Sequence, residues 1–389
     1  MAVKLDLPFR HLVHIAQQRG DLLCTHVSPL RPALMGRPSA LVPPESVRAL
    51  AVGAAFLGSG GGGRAEENVA QVARALAERP VALVGVEELD ATAALCAVAQ
   101  IGAPLIGTER LGGDELPTSV AGLEGALGRR ITALVCLEIG GQNALVALSA
   151  AARLAVPLVD GDAMGRAFPG IHQTTLTLGG MAAVPMVCAS PAGYTITLNG
   201  ALPNDQAETV VRQALPALGG RAATALYPAA AEHYRHHLVR GSFTRCIALG
   251  TALLTWLARP EPSSPPDPAL RDLGVELVHT GTIAAVDRGL HGATVVARGF
   301  GAAPGGSVVR IDATTEFRRV LVDGRVVADL PDIIAVCDTR HGRVLTFDEV
   351  QPGLSVAVLR MPAPPAWYTP AGRVLAAMGD HRRDRPARE

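Results

Sequence analysis

The chain lacks an excess of charge of either sign, because its 389 residues contain 35 Lys and Arg and 35 Asp and Glu. A balanced chain sets up no long-range field that would attract nucleic acid or an anionic membrane. Aromatic residues are also scarce, at 3% of the chain, which is too few for a surface that stacks nucleic-acid bases. We therefore expect no nucleic-acid partner.

Apolar runs long enough to cross a membrane, about 18 to 20 residues, do not occur in the sequence. The N-terminus also lacks the basic and then apolar pattern of a signal peptide. The six cysteines are widely spaced without a C-x-x-C pair, and most lie in apolar runs. Buried free thiols are typical of a reducing compartment, so the sequence predicts a cytoplasmic protein without membrane association.

Familiar catalytic motifs are absent as well: the sequence contains no G-x-S-x-G elbow, no H-E-x-x-H and no phosphate-binding G-x-x-x-x-G-K-[ST]. Because these motifs are absent, the sequence identifies no candidate catalytic nucleophile. Any chemistry has to come from carboxylates, amides and backbone groups.

Glycine, by contrast, is concentrated in one short segment between two predicted helices, at 45–57 and 65–78. Glycine backbone takes positive φ and approaches a ligand closely, so the segment is a candidate binding loop, with a flexible surface turn as the alternative. The candidate substrate-binding residues of this loop are Gly58, Ser59, Gly60, Gly61, Gly62 and Gly63. A G-x-G-x-x-G match within it is weak evidence for a dinucleotide, because a helix rather than a strand precedes it.

Alternation of apolar runs with helical stretches from residue 45 predicts an α/β domain with a mainly parallel sheet. Within it we expect a helix near 91–100 and strands at 131–137, 156–159 and 174–178. After a Pro/Ser-rich connector the β signals dominate and predict a smaller sandwich or barrel-like domain. The predicted divisions are a partly disordered extension (1–43), the α/β domain with the site (44–260), the β-rich domain (261–370) and a flexible basic tail (371–389).

Polar residues cluster where two neighbouring strands of the α/β domain end. Glu138 and Asn143 follow the strand at 131–137, and Asp160 and Asp162 follow the next one. Ligands of open parallel sheets bind at the carboxyl ends of the strands, so these four residues are candidate catalytic groups. Each of them taken alone is also compatible with a helix cap or a solvated loop residue. Glu109, after a third strand end, is a weaker acid candidate.

A metal site is a second interpretation of the same region. Asp160 and Asp162 face the same side if the backbone is extended, and His172 supplies a nitrogen ligand, so the three form a candidate site for a divalent metal such as zinc. The alternative is a helix-capping Asp and a surface His. Asn143, preceded by Gly140 and Gly141, is a candidate donor to a substrate oxygen.

Six motifs, in order along most of the chain, carry a resemblance to a known family. They are the glycine segment 53–63, then Gly102-Ala103-Pro104, Leu137-Glu138-Ile139-Gly140-Gly141-Gln142-Asn143, the run 159–169, Pro331-Asp332-Ile333-Ile334 and the run 362–367. The chain resembles the S-methyl thiohydantoin desulfurases, a bacterial family formerly known as a domain of unknown function and associated with hydantoinases. It differs from the family pattern in residues 1–43, in 312–319, where an Asn-Glu-containing segment is expected, and in the basic tail.

The resemblance implies an α/β N-terminal domain, a β-rich C-terminal domain and hydrolysis of a thiohydantoin-like ring. Water adds to the ring C=N carbon that bears sulfur, and a thiol leaves. We expect Glu138 or Asp160 to act as the base and Asn143 to orient the ring. Gly140, Gly141 and Arg166 complete the predicted substrate-binding set.

Two other functions remain open at the level of the sequence. One is a non-catalytic small-molecule binder or a partner protein of a hydantoinase, and the other is a nucleotide-dependent oxidoreductase. The high apolar content, 49%, is compatible with a homo-oligomer.

Overall fold

The structure is a computed structural model that describes residues 14–17 (backbone only), 40–102, 113–259, 266–289, 292–299 and 306–378. Glu109, most of the predicted extension, most of the Pro/Ser connector and residues 379–389 of the basic tail lie outside these ranges. The described residues form two sheets.

The first sheet has ten described strands in the order β1-β8-β7-β9-β4-β5-β6-β3-β2, with β10 paired to β6. Its centre is parallel, because β4 pairs with β5, β5 with β6 and β6 with β3 in the same direction. The pairs toward both margins are antiparallel. The predicted α/β fold is thus confirmed, with a mixed sheet around a parallel centre. The strands are His14–Gln17 (β1), Ala40–Leu41 (β2), Ala82–Val84 (β3), Ala94–Gly102 (β4), Ala133–Cys136 (β5), Leu158–Asp162 (β6), Met186–Ala189 (β7), Tyr194–Leu198 (β8), Arg221–Ala230 (β9) and Val239–Arg240 (β10).

Helices cover both faces of this sheet and enclose two apolar cores. Helices α1 and α8 pack very closely: a Cβ added at Gly250 would lie 1.7 Å from the Ala49 carbonyl oxygen, and one at Gly53 would lie 2.0 Å from that of Cys246. No helix within the described ranges has both the length and the apolar character to cross a bilayer. The helices are Val47–Leu57 (α1), Val69–Glu78 (α2), Glu115–Leu127 (α3), Asn143–Leu154 (α4), Thr175–Leu178 (α5), Asn204–Ala214 (α6), Ala231–Tyr234 (α7), Ser242–Leu257 (α8), Pro268–Asp272 (α9) and Pro370–Ala377 (α10).

Two local predictions are wrong. The segment predicted as a helix near 91–100 is strand β4, whose side chains are almost all buried. Its alanines favour a helix, but pairing with β5 and β9 on either side overrides that preference. The segment predicted as a strand at 174–178 is the single-turn helix α5, because the Thr174 side chain accepts a hydrogen bond from the Thr177 amide and caps it.

The second sheet has eight described strands, all antiparallel, in the order β15-β14-β13-β12-β11-β18-β16-β17. It curls so that β14 contacts β16, and residues from these strands enclose a third apolar core. This arrangement confirms the predicted β-rich second domain. The strands are Glu276–Gly289 (β11), Gly292–Gly299 (β12), Val308–Ala313 (β13), Phe317–Val322 (β14), Arg325–Asp329 (β15), Ile333–Asp338 (β16), Arg343–Leu345 (β17) and Ser355–Met361 (β18).

Candidate active site

A cavity of about 360 Å³ lies at the carboxyl ends of β4, β5 and β6, where the two domains meet. The first domain supplies the glycine loop and the segments that follow the three strands. The second domain supplies one wall, made of residues 314–316, Thr346 and Asp348. The polar side chains that line the cavity are four acids, three amides and two arginines, together with threonines. Its lining includes Gly62, Gly63, Glu138, Asn143, Phe168 and Glu316.

Glu138 is the buried carboxyl group that the first domain places in this cavity. It follows β5 directly and is 6% exposed. Its Oε2 accepts a hydrogen bond from Asn143 Nδ2 at 2.6 Å, and its Oε1 accepts one from the Phe168 amide at 3.0 Å. Burial raises the pKa of Glu138 to about 8, although both hydrogen bonds oppose the shift. The charges of Glu316 and Asp162 add to it, so Glu138 carries a proton at neutral pH.

Asn143 is engaged at both ends of its amide. Its Oδ1 accepts a hydrogen bond from the Gln100 amide at 2.8 Å, and its Nδ2 donates to Glu138. These two partners set the orientation of the amide. The side chain therefore connects the ends of β4 and β5 and holds the Glu138 carboxyl in place.

The glycine loop forms the opposite wall with Gly60 to Gly63. Gly62 and Gly63 adopt φ of +73° and +77°, a region that favours glycine. In the described part of the chain, the amides of these two residues donate no hydrogen bond. Both residues therefore line the cavity with amides that have no acceptor among the described residues.

The other predicted glycines support this loop from behind and do not line the cavity. The Gln142 amide donates to the Gly62 carbonyl at 2.8 Å. A Cβ at Gly141 would lie 2.2 Å from the same carbonyl oxygen, and one at Gly140 would lie 2.6 Å from the Ala167 nitrogen. Gly140 and Gly141 are conformationally required here because the two loops touch through their backbones.

Ser59 and Gly58 likewise lie outside the cavity lining. Ser59 is fully buried with φ of +50°, which is strained for a residue with a Cβ. Its hydroxyl donates to the Phe317 carbonyl at 3.1 Å and accepts from the Ile334 amide at 3.0 Å. Ser59 thus attaches the glycine loop to the second domain, a role that explains the one non-glycine in this run.

The structure separates Asp160 and Asp162 from the cavity, contrary to their predicted catalytic roles. Asp160 accepts hydrogen bonds from the amides of Phe243 and Thr244 and from the Thr244 hydroxyl, so it caps the first turn of α8.

Asp162 is fully buried and accepts from three backbone amides and from the Ser242 hydroxyl. Burial raises its pKa to about 6 against the effect of these bonds. With all its acceptor sites facing fixed donors, Asp162 organises the loop after β6 and is not a catalytic group.

The predicted metal site is not formed either. Among the described residues, no group of three or more His, Cys, Asp or Glu side chains converges to hold a metal ion. His172 is buried in the loop that includes Gly170, while Asp160 and Asp162 face the start of α8. The donors of the proposed zinc set therefore do not fit a metal.

Arg166 is buried between the domains and does not reach the cavity as the predicted substrate-binding residue. Its guanidinium donates to the carbonyls of Ala167, Pro331 and Asp332 and forms an ion pair with Glu316 at 2.7 Å. It also lies 4.7 Å from the ring centroid of Phe168. Arg166 is a fixed cation behind the wall of the site.

Phe168 and Glu316 are among the side chains that line the cavity without having been predicted as site residues. Phe168 lies against Trp367, with ring centroids 4.4 Å apart, and forms a rigid apolar wall. Glu316 belongs to the segment that departs from the family pattern, yet an acid was expected somewhere in that segment. Burial raises the pKa of Glu316, and Arg166 and Arg318 oppose the rise.

Comparison with known proteins is consistent with this architecture. Residues 45–200 match the family described as "S-Me-THD-like, N-terminal domain", and residues 203–379 match "S-Me-THD-like, C-terminal domain". The two family matches meet near residue 200, but the first sheet continues beyond that point to β10 at Val239–Arg240. The domain boundary that the sequence predicts near residue 260 stays a prediction. No curated protein matches the sequence.

A solved structure has the same fold. It is an X-ray crystal structure of a protein from Chromobacterium violaceum, with a TM-score of 0.70 and 22% sequence identity. The match covers 89% of this chain and 96% of the other. At this identity the likeness concerns the fold alone.

Proposed function

The chain belongs to the S-Me-THD-like family, and we propose that it is a hydrolase of a small thiohydantoin-like ring. In this reaction water adds to the ring C=N carbon that bears a thioether sulfur, and the products are a hydantoin-type carbonyl and a thiol. The observation that carries the proposal is Glu138, a carboxyl that is protonated at neutral pH and lines a cavity at the carboxyl ends of parallel strands.

In the proposed reaction, Glu138 transfers its proton to the ring nitrogen. As water attacks the carbon, electron density moves to the nitrogen of the C=N bond, which then takes up a proton. Both oxygens of Glu138 already accept hydrogen bonds from Asn143 and the Phe168 amide. The carboxyl is therefore held in one orientation, and its remaining lone pairs are the sites for the proton that it transfers.

In the proposed reaction, the glycine loop binds a carbonyl oxygen of the ring. The amides of Gly62 and Gly63 have no partner within the described residues, and their residues line the same cavity as Glu138. Backbone N–H groups of this kind stabilise a carbonyl oxygen that gains negative charge. Phe168 offers an apolar face for the flat ring.

The test is to incubate the purified chain with an S-methyl thiohydantoin and to measure released thiol and hydantoin. We expect thiol and hydantoin in equal amounts, at a rate proportional to protein. Stabilisation of the protein by the ring compound without any thiol would instead support the alternative of a non-catalytic binder or a hydantoinase partner.

The pH dependence of this activity follows from Glu138. A proton donor must be protonated, and burial raises the pKa of Glu138 to about 8. We expect kcat/KM to hold through neutral pH and to fall tenfold per pH unit above about pH 8. An activity that rises through this range would mean that Glu138 acts as a base and would contradict its role as the acid.

We extend the proposal to location and partners on the evidence of the sequence. Five cysteines within the described ranges are free and buried, which supports the cytoplasm as the compartment. A homo-oligomer and a hydantoinase-type partner are proposed on the resemblance and the composition alone.

A further inference from the structure

We infer that Glu316 is the second catalytic carboxyl of this cavity, the group that takes the proton from the attacking water. This inference rests on the proposed function and adds a residue from the second domain to it. The sequence places Glu316 far from Glu138 in the chain, but both side chains line the same cavity.

The surroundings of the two carboxyls differ in the way that an acid and a base require. Glu316 forms an ion pair with Arg166, which is itself held by three backbone carbonyls and is fully buried. Glu138 has two neutral N–H donors and no cation as partners. Burial raises the pKa of Glu316, but the fixed guanidinium opposes this rise and favours the carboxylate form. Glu138 has no such cation beside it, and burial raises its pKa to about 8.

With these two roles, Glu138 and Glu316 account for every proton transfer in the reaction. The water oxygen bonds to the ring carbon, its proton passes to Glu316, and the proton of Glu138 passes to the ring nitrogen. The carbon then carries a hydroxyl group and the thioether sulfur. When the C–S bond breaks, the sulfur takes the proton from Glu316 and leaves as a thiol, and the hydroxyl proton returns to Glu138. The carbonyl forms, and both carboxyls are back in their starting states.

The test compares Glu316→Gln with Glu115→Gln in the full chain, using thiol release from the S-methyl thiohydantoin. Glu115 is a matched control, because it is also a buried carboxyl in an ion pair, with Arg221 at 3.0 Å, and it does not line the cavity. We expect Glu316→Gln to lower kcat by about 10²-fold or more, with KM changed by less than about threefold. Glu115→Gln is expected to keep kcat.

Two results would overturn the inference while the proposed function stands. One is a Glu316→Gln variant with kcat close to the wild-type value. The other is a variant in which only KM rises, since that pattern describes a binding group. Absence of thiol release by the wild-type chain refutes the proposed function, and the role of Glu316 falls with it.

A measurement on the wild-type chain covers the case in which Glu316→Gln does not fold. A base must be ionised, so kcat/KM is expected to fall tenfold per pH unit at acid pH, and the profile becomes bell-shaped together with the fall above about pH 8. The charged groups around Glu316 are Arg166, Arg318 and Glu138, with Arg64, Glu67, Arg212 and Asp348 also on the cavity wall. Circular dichroism at each pH confirms that the fold persists. A profile that stays flat at acid pH with the fold intact contradicts the inference.

Discussion

Glu138→Gln is expected to lower kcat for thiol release by about 10²–10⁴-fold, the usual contribution of a positioned proton donor. Glutamine fills nearly the same space, and its single amide oxygen can accept one of the two hydrogen bonds that Glu138 accepts from Asn143 and the Phe168 amide. It has no acidic proton to give to the ring nitrogen. Since the acid acts in the transition state, KM should change little. Steady-state kinetics on the S-methyl thiohydantoin measure both values.

The matched control for this variant is Asp160→Asn. It makes the same change of carboxyl to amide at a residue that the sequence does not distinguish from Glu138. Because Asp160 lies outside the cavity and asparagine caps a helix about as well as aspartate, this variant should keep most of its stability and leave kcat within a factor of about two. The assignment of the acid would be wrong if Asp160→Asn were inactive and Glu138→Gln active.

Arg166→Met is expected to lower the free energy of unfolding by about 3–5 kcal/mol, the effect of removing one partner of a buried ion pair. The variant leaves the Glu316 carboxylate buried without its cation and removes the donors to the carbonyls of Pro331 and Asp332. Denaturation by urea, followed by circular dichroism, measures the change.

Two further variants identify the cause of that loss. Arg319→Met removes an ion pair whose side chains are 47% and 45% exposed, and we expect it to cost less than about 1 kcal/mol. The double variant Arg166→Met with Glu316→Gln should be more stable than Arg166→Met alone, because it no longer buries an unpaired charge. If all three variants lost the same stability, the burial of the pair would not be the reason.

Much of the fold follows from local patterns in the sequence. The strand predicted at 131–137 contains β5, and the helices predicted at 45–57 and 65–78 contain α1 and α2. The errors occurred where local preference and tertiary context disagree. An Ala-rich segment became the central strand β4, because both of its neighbours in the sheet and its burial favour a strand there.

The candidate site also contains residues that the sequence identifies and residues that only the structure distinguishes. Glu138, Asn143 and the glycine loop could be proposed because they follow strands or connect helices within one domain. Asp160 and Asp162 matched the same pattern, and only their hydrogen-bond partners show that they hold α8 and the following loop. A sequence pattern gives the position of a carboxyl group in the chain, but it does not give the hydrogen-bond donors that contact this group in the fold.

By itself the sequence determined the family, the two-domain architecture and the edge of the sheet at which the cavity lies, since all three depend on motifs and periodicities that are local in the chain. Tertiary structure alone decided which acids share the cavity. Glu316 and Glu138 line the same cavity because contacts such as those of Ser59 and Arg166 hold the second domain against the first. The proton on Glu138 is also a tertiary property, because it depends on burial between segments that are far apart in the sequence.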